Sequence, residues 1–129
     1  MVLLDSHVLL WALDEYDKLS LNARQAIAQN VCCVSVVSLW EMAIKASLPS
    51  ERRRLVLDRT ILDFAGMCEE YRIDILPITP EDCEQVMRLP HIHPDPFDRM
   101  IVAQAMTRGL ALVTKDENIW KYDGIEKIW

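Results

Sequence analysis

The 129-residue chain contains no apolar run that approaches the roughly 20 residues needed to span a bilayer. Its first residues, MVLLDSHVLLW, include no basic leader, and Asp5 and His7 interrupt the apolar stretch. We therefore expect a soluble, cytoplasmic protein with no membrane partner. No low-complexity segment, internal repeat or flexible linker divides the sequence, and its length suits a single domain, which we predict to cover residues 1–129.

Cysteine motifs for metal binding are also absent. None of the four cysteines belongs to a C-x-x-C pair, and we expect all of them to be reduced core residues: Cys32, Cys33, Cys68 and Cys83. The pair His91-x-His93 has the spacing of zinc ligands. A zinc site usually needs further imidazoles or thiolates, so we do not favour zinc binding here.

Basic residues are fewer than acidic ones, 14 against 20, and the formal net charge is −6. Nucleic-acid binding without sequence preference usually needs a basic surface, so charge alone argues against a polyanionic partner. That argument fails if carboxylates converge on divalent cations, because the cations themselves contact phosphate. The local run Arg52, Arg53 and Arg54 is either a solvated loop or a phosphate contact.

Short apolar runs typical of strands alternate with amphipathic patterns typical of helices. The predicted strands cover residues 2–4, 31–37, 73–78 and 111–114, with a short edge strand in residues 125–129. Helices are predicted after an N-cap at Ser6, from Ser20 to about Asn30, over 38–47, over 57–68, after Thr79, and from Pro96 to Gly109. Strands that alternate with helices indicate an α/β fold, a three-layer α/β/α sandwich with a mainly parallel, Rossmann-like central sheet.

The segment HPDPFDRM, residues 93–100, has a purely structural interpretation. Asp95 suits the N-cap of a helix, Pro96 its first residue and Asp98 the third residue of a capping box. The same holds for other acids: Glu41 fits a capping box with Ser38 or an ion pair with Lys45. Taken singly, none of these acids requires a function.

Four acids nevertheless share one edge of the predicted sheet, the edge where parallel strands end and where such sheets bind ligands. They are Asp5, Glu41, Asp98 and Asp116. Two carboxylates about 4 Å apart repel by roughly 4 kcal/mol at an effective dielectric near 20, so a cluster of this kind needs a cation. Hard oxygen ligands without cysteine or histidine favour Mg²⁺ or Mn²⁺.

The segments VLLDSHVLLW, SVVSLWEMAIK, HPDPFDRMIVAQA and LVTKDENIWKY resemble the acidic motifs of PIN-domain ribonucleases. The resemblance is strongest to VapC-type toxins of type II toxin–antitoxin modules, and it runs in order from residue 3 to about residue 122. It implies a PIN-like domain in which the four acids above are catalytic and bind metal. It also implies supporting roles for Ser6 and Thr114. Asp95 lies near the metal in similar sequences without always being a ligand, and we retain its capping role.

The activity implied by the resemblance is endonucleolytic hydrolysis of RNA that depends on Mg²⁺ or Mn²⁺ and leaves a 5′ phosphate. We assign Asp5 and Asp98 as the principal ligands, Glu41 as a ligand or as the residue that orients the attacking water, and Asp116 as a water-mediated or second-ion ligand. The resemblance further implies a homodimer and a cognate antitoxin whose C-terminal segment covers the acidic groove.

Candidate RNA contacts lie beside the proposed acids. They are Lys45, Arg99 and the run Arg52, Arg53 and Arg54, although Lys45 and Arg99 suit ion pairs with neighbouring acids equally well. Trp11, Trp40 and Trp120 could stack on unpaired bases, but their helical spacing beside leucine and isoleucine favours a place in the core.

Two other classes share parts of this pattern. A phospho-receiver domain also carries acids and a Thr-Lys pair near strand ends, here Thr114 and Lys115, but needs an acceptor aspartate that VCCVSVV does not supply. A PIN-like scaffold that binds RNA or protein without cleavage is the other alternative, and the intact set of four acids argues against it. A haloacid-dehalogenase-type phosphatase is excluded because its D-x-D motif needs an acid where His7 stands.

Overall fold

A computed structural model describes residues 1–52 and 57–129. Within these ranges five parallel strands form one sheet in the order β3-β2-β1-β4-β5. The strands are β1 (Val2–Leu4), β2 (Cys32–Ser35), β3 (Ile73–Leu76), β4 (Ala111–Val113) and β5 (Lys127–Ile128). The helices are α1 (Ser6–Asp14), α2 (Leu21–Gln29), α3 (Val36–Ser47), α4 (Ile61–Glu70), α5 (Pro80–Arg88), α6 (Pro96–Arg108) and α7 (Glu117–Trp120). The parallel sheet confirms the predicted α/β class.

Alternate residues of the central strands enter two separate cores, one on each face of the sheet. Leu4 and Val34 pack with residues of α1, α2 and α4. Leu3 and Cys33 point the other way and pack with residues of α6, including Ile101. Strands buried on both faces are apolar throughout, because successive side chains point to opposite sides. The two cores establish the three-layer arrangement.

Several helix ends follow the predicted local chemistry. Ser20 caps α2, and Thr79 begins α5 with a reciprocal capping box to Asp82. The Asp95 side chain caps α6 by accepting the Phe97 N–H at 2.8 Å. Gly109 ends that helix with φ of 62°, a left-handed conformation that glycine adopts without steric cost.

Other boundaries differ from the predictions. The second strand ends at Ser35, whose side chain accepts the Val37 N–H and starts α3, so neither the strand to residue 37 nor a helix start at Ser38 is correct. β-branched valines suit both a buried strand and the first turn of a buried helix, and the sequence pattern did not separate them. The first helix is capped by Asp5, which leaves Ser6 as its first residue. The third strand stops before Pro77, which has no N–H for a strand hydrogen bond.

Some residues predicted to lie in the core are at the surface. Cys32, Cys33 and Cys68 are buried, whereas Cys83 is exposed. Trp11 packs against the first core, but Trp40 and Trp120 are 57% and 44% exposed, so the core prediction is wrong for both. Both lie on the solvent side of their helices, a placement that helical spacing alone does not determine. In the described ranges, every helix is too short or too polar to cross a membrane.

A candidate metal centre at the switch point of the sheet

The central strand β1 is the point at which the strand order of the sheet reverses. Its neighbours are β2 on one side and β4 on the other, and ligands of such sheets bind beyond the carboxyl ends at this position. Asp5 follows β1 directly, and Asp116 lies just beyond the end of β4. The topology therefore places two of the four predicted acids at the crevice of the sheet.

Asp5 is a buried carboxylate that hydrogen bonds hold at both oxygens. Its Oδ1 accepts the Val8 N–H at 2.8 Å, which caps α1, and its Oδ2 accepts the hydroxyl of Thr114 at the end of β4. Burial raises the pKa of Asp5, while the hydrogen bonds from Thr114 and Val8 oppose that rise. Thr114, for which the resemblance implied a supporting role, thus contacts the first of the four predicted acids.

Glu41 is also buried, in the second turn of α3. The Ser6 hydroxyl lies 2.9 Å from Glu41 Oε1 and 2.9 Å from the Ser38 hydroxyl. Because a hydroxyl has one proton, Ser6 donates to the carboxylate and accepts from Ser38. The Lys45 ammonium lies 2.9 Å from Glu41 Oε2. The structure therefore contains the predicted ion pair and not the predicted capping box.

Asp98 occupies the third position of α6, yet its side chain does not complete a capping box. The Asp95 N–H, which the box would use, donates instead to His93 Nδ1 at 3.0 Å. Asp98 Oδ2 lies 3.3 Å from His93 Nε2. Burial, together with the charges of Asp95, Glu41 and Asp116, raises the pKa of Asp98 to about 7, and the charge of His93 offsets part of the rise.

Asp116 is the N-cap of α7, and its two oxygens have different partners. Oδ1 accepts the N–H groups of Asn118 at 2.8 Å and Ile119 at 3.2 Å, and Oδ2 lies 2.9 Å from His93 Nε2. Burial raises the pKa of Asp116, but the hydrogen bonds from His93, Ile119 and Asn118 outweigh it and lower the pKa overall. The pKa values of two neighbouring carboxyl groups are thus shifted in opposite directions, upward for Asp98 and downward for Asp116.

The donor set fits a hard divalent cation. Among the described residues, ligand atoms of His93, Asp98 and Asp116 lie within 4.8 Å of one another. Asp5 and Glu41 lie outside this tight group, although the charge of Asp5 interacts with that of Asp116 and the charge of Glu41 with that of Asp98. Carboxylate oxygens are the ligands that Mg²⁺ and Mn²⁺ prefer, and a cation would offset the neighbouring negative charges that contribute to the raised pKa of Asp98.

His93 is the site residue that sequence reasoning missed. The zinc interpretation paired it with His91, which is exposed and does not belong to the cluster. His93 is buried, and its backbone N–H donates to the hydroxyl of buried Tyr122 at 3.0 Å. The available signal was its position two residues before the Asp95 cap, where a side chain can bond back to the start of the helix.

A cleft of about 860 Å³ lies next to Asp95, the N-cap of α6. Lys45 and Arg52, two of the predicted RNA contacts, line it together with Asp95 and Phe97. Lys45, which pairs with Glu41, connects this cleft to the acids, and the cleft supplies space for an anionic ligand.

The other predicted RNA contacts are placed differently. The Arg99 guanidinium turns to the carbonyl oxygens of Pro90 at 2.9 Å and Val86 at 3.3 Å, and it does not line the cleft. Arg53 and Arg54 lie outside the described residues.

Solved structures with the same fold come from toxin–antitoxin systems. VapBC2 from Rickettsia felis, bound to a DNA fragment from its promoter, superposes with a TM-score of 0.67 and 14% identity, over 98% of this chain and 97% of that one. DNA-bound VapBC from Salmonella typhimurium gives a TM-score of 0.66 and 18% identity, over 98% and 97%. VapBC-5 from Mycobacterium tuberculosis gives 0.63 and 20%, over 98% and 95%. At sequence identities of 20% or less, the similarity to these structures is evidence for a shared fold alone.

A comparison by sequence also finds a VapC protein. Ribonuclease VapC22 from Mycobacterium tuberculosis is 37% identical over 120 residues, which are 92% of this chain and 88% of that protein. The PIN domain family model matches residues 2–125. The chain therefore belongs to the PIN-domain family.

Proposed function

We propose that this protein is an endoribonuclease that uses Mg²⁺ or Mn²⁺ to hydrolyse RNA phosphodiester bonds. The observation that carries the proposal is the convergence of Asp98 and Asp116, with Asp5 and Glu41 beside them, at the switch point of the sheet. The 37% identity to a protein named as a ribonuclease supports RNA as the substrate. We also propose that residues 1–129 form one PIN-like domain and that it acts in the cytoplasm.

In this proposal the chain's own residues have separate tasks. Asp5 and Asp98 bind the metal ion, Asp116 binds through water or holds a second ion, and Glu41 binds or orients the attacking water. When bound, the ion supplies a water of lowered pKa and neutralises charge on the phosphate. Lys45 and Arg52, which line the cleft, bind the backbone of the RNA. Hydrolysis leaves a 5′ phosphate.

We propose further that the protein is the toxin of a toxin–antitoxin pair and that a cognate antitoxin inhibits it. The support is the shared fold with VapBC toxin–antitoxin complexes and the sequence similarity to VapC22. An antitoxin segment that enters the cleft would meet Lys45 and Arg52 and would cover the acids.

We propose a homodimer formed through the exposed face of α3. Val36, Trp40 and Ile44 recur every four residues and are 38%, 57% and 36% exposed, and the Trp40 ring packs edge-on against Phe97 at 5.1 Å. An apolar stripe of this kind is typical of a protein interface. Light scattering should show a dimer that Trp40→Glu converts to monomer, whereas Leu62→Glu, at an 83% exposed position of α4, should leave the dimer intact.

The nuclease proposal is tested with purified protein and end-labelled single-stranded RNA. We expect cleavage with Mg²⁺ or Mn²⁺, none with EDTA, and none by Asp5→Asn or Asp98→Asn. Asp74→Asn, which changes an exposed aspartate on β3, is the matched control and should cleave like the wild type. Circular dichroism checks that every variant is folded.

Two results would contradict the proposal. Full cleavage by Asp5→Asn would exclude its assignment as a metal ligand. Binding of RNA without cleavage under any divalent ion would favour the non-cleaving PIN-like scaffold.

A further inference from the structure

His93 lies between two of the proposed metal ligands. Its side chain is 7% exposed, and Nε2 lies 2.9 Å from Asp116 Oδ2 and 3.3 Å from Asp98 Oδ2. A histidine at this position has two roles open to it. It can bind the metal through an unprotonated Nε2, or it can donate an Nε2–H to the carboxylates.

The other ring nitrogen distinguishes these roles. The Asp95 backbone N–H donates to His93 Nδ1 at 3.0 Å, and a backbone N–H cannot donate to a ring nitrogen that carries a proton. The neutral ring therefore has its proton on Nε2. A protonated Nε2 is a hydrogen-bond donor and has no lone pair for a metal ion. In this tautomer His93 therefore donates to the carboxylates and does not bind the ion.

The surroundings hold both partners in place. The His93 N–H donates to the Tyr122 hydroxyl at 3.0 Å, which fixes the backbone from which the ring extends. Asp116 Oδ1 accepts the N–H groups of Asn118 and Ile119, so this carboxylate is held at one oxygen by the cap of α7 and at the other by His93. The rotation of the Asp116 carboxylate is thereby determined before any ligand arrives.

We propose that His93 is a positioning residue of the metal centre, one that orients Asp116 and Asp98 through its Nε2–H and does not itself coordinate the ion. This inference rests on the proposed metal-dependent function. Partners that orient metal-binding carboxylates typically change metal affinity by roughly 10- to 100-fold when they are removed. His93 thus connects the Asp95 cap of α6 with the Asp116 cap of α7.

Two substitutions test the roles of the two ring nitrogens separately. Glutamine places its amide nitrogen near the position of Nε2, so His93→Gln keeps a donor to Asp116 and loses the acceptor for Asp95. Asparagine places its amide near Nδ1, so His93→Asn keeps the acceptor for Asp95 and loses the donor to Asp116. Mn²⁺ binding is measured by electron paramagnetic resonance of the free ion, with thermal unfolding as the control for folding.

We expect His93→Gln to bind Mn²⁺ nearly as tightly as the wild type and His93→Asn to bind it roughly 10- to 100-fold more weakly. Pulsed spectroscopy of Mn²⁺ in the wild-type protein should show no directly coordinated nitrogen, a readout that needs no variant to fold. A coordinated nitrogen, equal loss of affinity in both variants, or full affinity in His93→Asn would overturn the proposal.

The nuclease proposal and the His93 proposal are tested by different results. Wild-type protein that binds Mn²⁺ but cleaves no RNA would contradict the proposed function, while the comparison of the two His93 variants would still decide the role of the ring. Wild-type protein that binds no Mn²⁺ would overturn both.

Discussion

The Thr114 hydroxyl donates to Oδ2 of Asp5, and its oxygen accepts the Asp116 N–H at 3.0 Å. One threonine thus connects two acids that follow neighbouring parallel strands and are far apart along the chain. The register of β1 against β4 makes this contact, because Leu4 pairs with Val113 and the next residues leave the sheet side by side. The geometry of the candidate metal centre therefore depends on strand pairing.

Replacing Thr114 with valine should remove this connection while keeping the shape of the side chain. The buried Asp5 carboxylate would lose a donor, and a hydrogen bond to a charged group contributes about 1.5–3 kcal/mol to the free energy of unfolding. We expect a loss of this size in urea denaturation and weaker Mn²⁺ binding. Thr114→Ser retains the hydroxyl and serves as the control. Equal behaviour of the two variants would show that the hydroxyl does not hold Asp5.

Lys45 should affect RNA binding more than stability. The lysine side chain is 32% exposed, so solvent screens its ion pair with buried Glu41 and reduces what the pair contributes to stability. We expect Lys45→Met to weaken RNA binding and to lower the slope of log affinity against log salt by about 0.7, the contribution of one phosphate contact in a single strand. Fluorescence anisotropy across a salt series measures the slope.

Lys18→Met is the matched control, because Lys18 forms an exposed ion pair with Glu15 and does not line the cleft. It should leave the slope unchanged. A slope that Lys45→Met does not alter would exclude a phosphate contact at that position.

Asp82 should be the acid that makes the fold sensitive to low pH. It is fully buried, and although burial raises its pKa, hydrogen bonds from Arg108, Thr107 and Thr79 outweigh that effect and lower the pKa to about 2. A lowered pKa means that the stabilisation is complete above the unfolded pKa of 3.8 and is lost as the pH falls towards 2. We expect Asp82→Asn to reduce the free energy of unfolding by about 3 kcal/mol near neutral pH.

Asp63 provides the comparison, because it holds the same capping-box position in α4 but is exposed, and no arginine of the described residues donates to its carboxylate. Asp63→Asn should have a much smaller effect in the same urea titrations. Similar losses in the two variants would indicate that the cap, and not the ion pair with Arg108, is the source of the stabilisation.

Binding of a divalent ion should release a proton from Asp98, whose pKa is about 7. In the protein without an added ion, this raised pKa lowers stability as the pH rises from about 4 to 7, because the folded state then holds a proton that the unfolded state has lost. Apparent Mg²⁺ affinity should accordingly increase between about pH 5.5 and 8. Calorimetry in buffers of different ionisation enthalpy measures the released proton.

Asp98→Asn has no proton to release at this position and should show no such release. Mg²⁺ affinity that is constant over this pH range in the wild type would contradict the assignment of Asp98 as a ligand.

Local features of the fold were predictable because they depend on neighbours in the sequence. The capping box of Thr79 and Asp82, the Asp95 cap and the Gly109 stop each involve residues within a few positions of one another. The alternation of strands and helices likewise predicts a parallel sheet whose strand ends share one edge. These features were sufficient to place Asp5 and Asp116 at the same edge.

Other features required the packed structure. Whether Asp98 caps its own helix or faces another acid depends on His93, whose ring takes the Asp95 N–H that the cap would use. The exposure of Trp40 depends on which face of α3 the rest of the molecule covers.

Sequence spacing determines which residues share a helical turn or a strand face, since that follows from backbone geometry. It does not determine which turn of one element meets which turn of another. His93 and Asp116 are 23 residues apart, and their contact follows from how the segment before α6 meets the N-cap of α7 at the end of the sheet. Long-range packing also sets the burial that raises the pKa of Asp98 and the hydrogen bond from His93 that helps to lower the pKa of Asp116.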